Sequence, residues 1–113
     1  MSEPMLWHVT LTVAGDAFEA DAVLGALRRL ERERPFFLSG RYDARRAELR
    51  YWEEAEDCAD ACALALRLWG EHRESALLPP WQVCGLEVVS RDEHQRRTGV
   101  AISPAGGWTR FDE

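Results

Sequence analysis

An α+β domain with the element order β-α-β-β-α-β is what this sequence predicts, and three observations carry the prediction. Residues 6–13 alternate apolar and polar side chains, the signature of a half-buried strand. Two stretches, 16–33 and 54–74, carry apolar stripes at helical spacing. Strand-like runs at 36–43 and 46–53 fill the gap between those stretches, and a last run follows at 81–90. Such an order folds into a two-layer sandwich: a four-stranded antiparallel sheet, strand order 4-1-3-2, with two helices on one face.

In the first strand Trp7, Val9, Leu11 and Val13 share one side, and His8, Thr10 and Thr12 the other. Gly15 turns the chain, and Asp16 followed three residues later by Glu19 has the form of a capping box, which sets the expected start of the first helix. Its apolar stripe is Ala20, Val23, Leu24, Leu27 and Leu30, with Arg28, Arg29 and Arg32 toward water, and Pro35 stops it.

The two middle strands form a hairpin whose register follows from pairing. Setting Tyr42 opposite Ala47 places Gly40 against Leu49 and Leu38 against Tyr51 on the core side, with Arg41 against Glu48 and Phe37 against Trp52 on the other. No Asn-Gly type signal lies at Ala44 and Arg45, so a four-residue loop is expected.

The second helix is expected from Glu54 to about Glu74, acidic at its start and basic at its end as the helix dipole prefers. Cys58, Ala61, Cys62, Ala65, Leu68 and Trp69 share its inward stripe. In the last strand Cys84, Leu86 and Val88 are expected inward, and Val83, Glu87 and Val89 outward. Residues 1–91 make the domain. Residues 92–113 read as a tail, disordered or docked through Trp108 and Phe111.

At 113 residues, 46% hydrophobic and 30% charged, the chain has the composition of one globular domain. All 14 basic residues are arginine, against 20 acidic ones, and the net charge is −6. That balance disfavours a nucleic-acid partner, and no RNA-binding signature interrupts Glu48-Leu49-Arg50-Tyr51. Three cysteines without a disulfide spacing, with no apolar run of membrane-spanning length and no leader pattern, make a reducing cytoplasm the expected compartment.

Chemistry is sparse. Cys58 and Cys62 with His72 invite a metal site, but the two thiols fall on the inward stripe, so core packing is the expected role and no cofactor is expected. The uncovered side of the sheet collects His8, Thr10, Phe37, Arg41, Glu48, Arg50, Trp52 and Glu87, the candidate ligand-binding or interface residues. His8 could titrate there or hydrogen-bond across a dimer interface. Arg41 and Arg50 could grip a carboxylate or phosphate, or be neutralised by Glu48 and Glu87. The turn at Ala14-Gly15-Asp16 could present amides to an anion, although Asp16 competes for them.

The order of elements resembles ferredoxin-like modules, among them amino-acid-sensing domains and the dimeric barrels formed by two facing sheets. That resemblance rests on topology and implies no site residue; metallochaperone and acylphosphatase loop motifs are both lacking. The expected function is a non-catalytic module that self-associates, as a dimer, or binds a protein partner through the open sheet face. The alternative is a small-ligand binder or enzyme of the dimeric-barrel type with a pocket at that face, walled by Trp52 and Trp108, with His8 as the titrating group and Arg50 as the contact for an anionic ligand.

Overall fold

The polypeptide threads β1 (Met5–Ala14), α1 (Ala20–Glu33), β2 (Phe37–Tyr42), β3 (Arg46–Ala55), α2 (Cys58–His72), β4 (Gln82–Ser90), α3 (Arg91–Thr98) and β5 (Gly107–Arg110) in a computed structural model. Residues 4–34, 37–99 and 107–111 are described, the side chains of 37 and 38 excepted. Pro35, Phe36 and the Val-Ala-Ile run at 100–102 lie outside them.

Among the described residues the sheet has five strands, in the order β4-β1-β3-β2-β5. Four pair antiparallel as expected, but β5 joins β2 in parallel, so the sheet is mixed rather than four-stranded and antiparallel. Among the described residues three helices, not two, complete it. Val9, Leu11 and Val13 of β1 are fully buried in one cluster with Val23, Leu27 and Leu30 of α1 and Ala65, Leu68 and Trp69 of α2. Both long helices therefore cover the same side, where the alternation of β1 and the two helical stripes must meet to leave water.

Helix α1 begins at Ala20, and Glu19 caps it without a side-chain hydrogen bond, so the expected capping box does not form. The preceding residues are held by the β2–β3 connection instead: the Gly15 and Phe18 amides donate to the carbonyls of Arg45 and Ala44. The Asp16 carbonyl accepts from the Trp81 indole at 2.8 Å. Tertiary bonds thus postpone the helix by one turn.

Helix α2 also starts later than expected, because β3 runs on to Ala55, whose carbonyl accepts from the Trp7 indole. Asp57 is its cap, accepting from the Asp60 amide at 2.8 Å. Asp57→Ala is expected to lower the urea midpoint by the equivalent of ~1 kcal/mol, the usual worth of an N-cap, with the slope unchanged.

The β2–β3 register is as expected from Tyr42 opposite Ala47 to Ser39 opposite Arg50. An irregularity then sets Phe37 opposite Tyr51, so the expected Phe37–Trp52 pair is not formed. The connection is residues 43–45, one shorter than expected, closed by Asp43 Oδ1 accepting from the Arg45 and Arg46 amides. In β4 a bulge changes the faces. Thr12 pairs with Gly85 and Val13 with Val83, which leaves Cys84 as the extra residue. Val83 therefore packs on the core and Cys84 is exposed, the reverse of the expectation, since a one-residue slip exchanges the faces of a strand.

Of the stretch expected as a tail, residues 92–98 belong to α3 and 107–110 form β5. The Ser90 hydroxyl accepts from the Glu93 amide to open α3, and Gly99, at φ 81°, closes it in the left-handed region. Trp108 of β5 lies over Gly40 on the helix-covered side and donates to Glu31 of α1 at 2.9 Å.

Candidate functional site

The side of the sheet away from α1 and α2 is set by the alternation of β1 and its two ladders. His8 stands opposite Trp52 and Val89, Thr10 opposite Arg50 and Glu87, and Thr12 opposite Glu48, which in turn faces Arg41. Seven of the eight candidate residues thus share this reverse face, and the Phe37 side chain lies outside the described residues.

One half of that face is covered, which the sequence reading did not foresee. Helix α3 lays His94 on His8 as a parallel stack, ring centroids 4.0 Å apart, and Trp52 meets both imidazoles edge-on at 5.3 and 5.2 Å. His8, His94 and Trp52 are all buried, and the Trp52 indole nitrogen has no hydrogen-bond partner among the described residues. Burial, then the His94 ring, then the Arg50 guanidinium push the His8 pKa down to about 4. Burial and Arg50 also lower that of His94. His8 is therefore a neutral ring inside an aromatic cluster, and no carboxylate hydrogen-bonds to it among the described residues. With its pKa held down by burial and by its neighbours, an imidazole so placed is a weak general base near neutral pH.

The other half is polar and open. Arg41 and Arg50, each half exposed, approach the same Glu48 oxygen at 3.6 and 3.2 Å. Arg41 also lies 4.9 Å from the Phe111 ring centroid. Glu87 is not part of this triad; Arg97 of α3 reaches it at 3.5 Å. Among the described residues two guanidinium groups share one carboxylate, an excess of positive charge at the patch on a chain whose total is −6.

A pocket walled by Trp52 and Trp108 is not what the structure holds. The two rings are on opposite sides of the sheet, Trp52 beneath α3 and Trp108 over Gly40 beside α1. Three clefts of about 520, 370 and 740 Å³ lie elsewhere: between α2 and the end of β3, beside the start of β1, and at the end of α2. None of the three is lined by a candidate residue.

The thiols are likewise not where the stripe placed them. Cys58 is exposed and Cys62 half-buried, while Ala61, Ala65, Leu68 and Trp69 fill the core. His72 pairs with Glu33 at 2.6 Å. No group of three or more metal-ligating side chains comes together among the described residues. No helix among them is long and apolar enough to cross a membrane.

One family model, a domain of unknown function named DUF8830, matches residues 6–104. The chain belongs to the DUF8830 family. No curated protein and no solved structure matches it. The match takes in β1 through α3, so the reverse face with its α3 cover lies within the DUF8830 domain.

His94 is the residue that sequence reasoning missed. Ser90 followed three residues later by Glu93, with Gly99 beyond, is a helix start and stop that could have revealed α3. Its lack of an apolar stripe concealed it, because His94 is the only side chain that α3 buries.

Proposed function

We propose that this DUF8830 domain is a non-catalytic binding module that docks a protein partner presenting carboxylates on the open half of its reverse face. The observation that supports this reading is the Arg41–Glu48–Arg50 triad: a half-exposed patch in which, among the described residues, one carboxylate serves two guanidinium groups. A planar fork that is only partly satisfied is suited to accept a second carboxylate in bidentate fashion. None of the three clefts reaches this patch, and a small ligand needs a concave site, which favours a macromolecular partner. The reading treats β1–β4 with α1 and α2 as a ferredoxin-like core, with α3 and β5 as additions that leave this patch exposed. It also takes Cys58, Cys62 and Cys84 as free thiols of a cytoplasmic protein.

An oligo-glutamate peptide is the probe, titrated by calorimetry at low and at physiological salt. Binding that weakens with salt and is lost in the Arg41→Glu/Arg50→Glu double variant is the expected result, because both guanidinium groups are reversed. Failure of the wild type to bind at low salt, or equal binding by the double variant, overturns the proposal.

A further inference from the structure

We infer that DUF8830 chains pair two-fold through the outer edge of β4, joining two copies into one continuous sheet. The inference does not depend on the triad reading above, since it concerns another part of the surface.

Strand β4 ends the sheet, with β1 on one side only. Every second residue of its nine turns its amide and carbonyl outward. Among the described residues, none of the backbone hydrogen bonds outside the regular elements involves residues 82–90. Open edges of this length are ordinarily blunted by lysine, proline, inward charge or a bulge. Here there is no lysine or proline, the only charge is Glu87, and the bulge at Cys84 is near one end. Glu87 has Arg97 beside it.

The layer above this border is apolar too. Val83, Leu86 and Val88 pack on the core yet remain partly exposed, whereas Val9, Leu11 and Leu49 on the inner strands are completely buried. On α2, Leu64 lines a cleft with Glu54 and Ala55 of β3, so that flank looks toward the inner strands. Leu66 lies ~200° around the helix from Leu64, on the flank beside β4, and is 53% exposed. Cys58, Cys62, Leu66 and Arg73 share this outer flank, which holds no acidic residue although the chain as a whole has 20.

A second copy is the occupant that fits. An antiparallel edge is its own complement under a two-fold axis, each outward amide finding the symmetry-related carbonyl. A pairing centred on Leu86 sets Glu87 opposite Gly85 of the other copy, so no like charges oppose each other. It also brings the two α2 helices alongside, Leu66 toward Leu66, and covers the half-open row of β4.

The experiment is sedimentation equilibrium over a wide concentration range, with hydrogen exchange of the β4 amides on the same samples. A dimer at tens of micromolar is expected, with alternate β4 amides protected only where the dimer is populated. Leu66→Glu and Cys84→Lys, both at exposed positions, should each weaken association about tenfold or more, the cost of a charge at a closed apolar border. Arg41→Glu/Arg50→Glu should leave the dimer unchanged, which separates this inference from the proposed function. A wild type that stays monomeric overturns it, as does a dimer whose β4 amides exchange as freely as in dilute solution. A dimer indifferent to both edge variants does the same.

Discussion

Acidification from pH 6.5 toward pH 4 is expected to remove about 3 kcal/mol of stability, and most of that loss should disappear in His8→Phe. The sign follows from proton uptake. In the unfolded chain His8 binds a proton near its ordinary value of 6.5, whereas in the fold it resists until about 4. Within that window the unfolded state holds more protons, so stability is complete above 6.5 and falls as the pH drops. His94 acts in the same direction. The guanidinium of Arg50 on β3 opposes a charge on either ring.

Magnitudes indicate where the strain is relieved. Helix α3 buries one side chain, worth roughly 1.5–3 kcal/mol, against roughly 5–15 kcal/mol for a whole domain. Helix α3 should therefore lift from the sheet before the domain unfolds, wetting Trp52. Urea midpoints across this pH range, with tryptophan emission and exchange of the α3 amides, provide the check. Parallel pH profiles for wild type and His8→Phe would remove the stack as the cause.

Gly40→Ala is expected to cost about 1–3 kcal/mol, at the upper end of that range, although alanine normally suits a strand better than glycine. A methyl at position 40 would lie 2.0 Å from Trp108 Cζ3 and 3.0 Å from the Glu48 carbonyl oxygen. The indole must move, and with it go its hydrogen bond to Glu31 and the seating of β5 on β2. Trp108→Ala removes the obstacle, so a double-mutant cycle should show Gly40→Ala costing far less in that background. Equal costs in the two backgrounds would mean that the ring does not set the identity of residue 40.

What could be read from the residues alone was whatever strict periodicity controls. The alternation of Val9, Leu11 and Val13, the stripe from Val23 to Leu30, and the Arg41–Glu48 and Tyr42–Ala47 pairs are all found in the fold. Features decided by a single residue were not legible. The bulge at Cys84 exchanged two faces, and its one mark in the sequence, the adjacent Gly85, does not say which residue is the extra one; bonds from Gly15 and Phe18 to the hairpin loop outcompeted the expected capping box. The thiols of Cys58 and Cys62 sit at the margin of a stripe whose centre is alanine and leucine, and period alone does not resolve a margin from a core. The reverse face was legible as a set of residues, but its division was not. His94 is one buried side chain on an otherwise solvated helix, and no hydropathy pattern signals such a contact.

Strand β5 has a consequence for higher assembly. By lying alongside β2 it becomes the outermost strand on that side, and its four residues offer a far shorter margin than the nine of β4, which blunts pairing there. Objects with two sticky ends concatenate into ribbons, whereas objects with one can only meet once and stop. A four-residue cap of this kind would act as a terminator, confining any growth of the sheet to a closed, countable particle rather than a fibre.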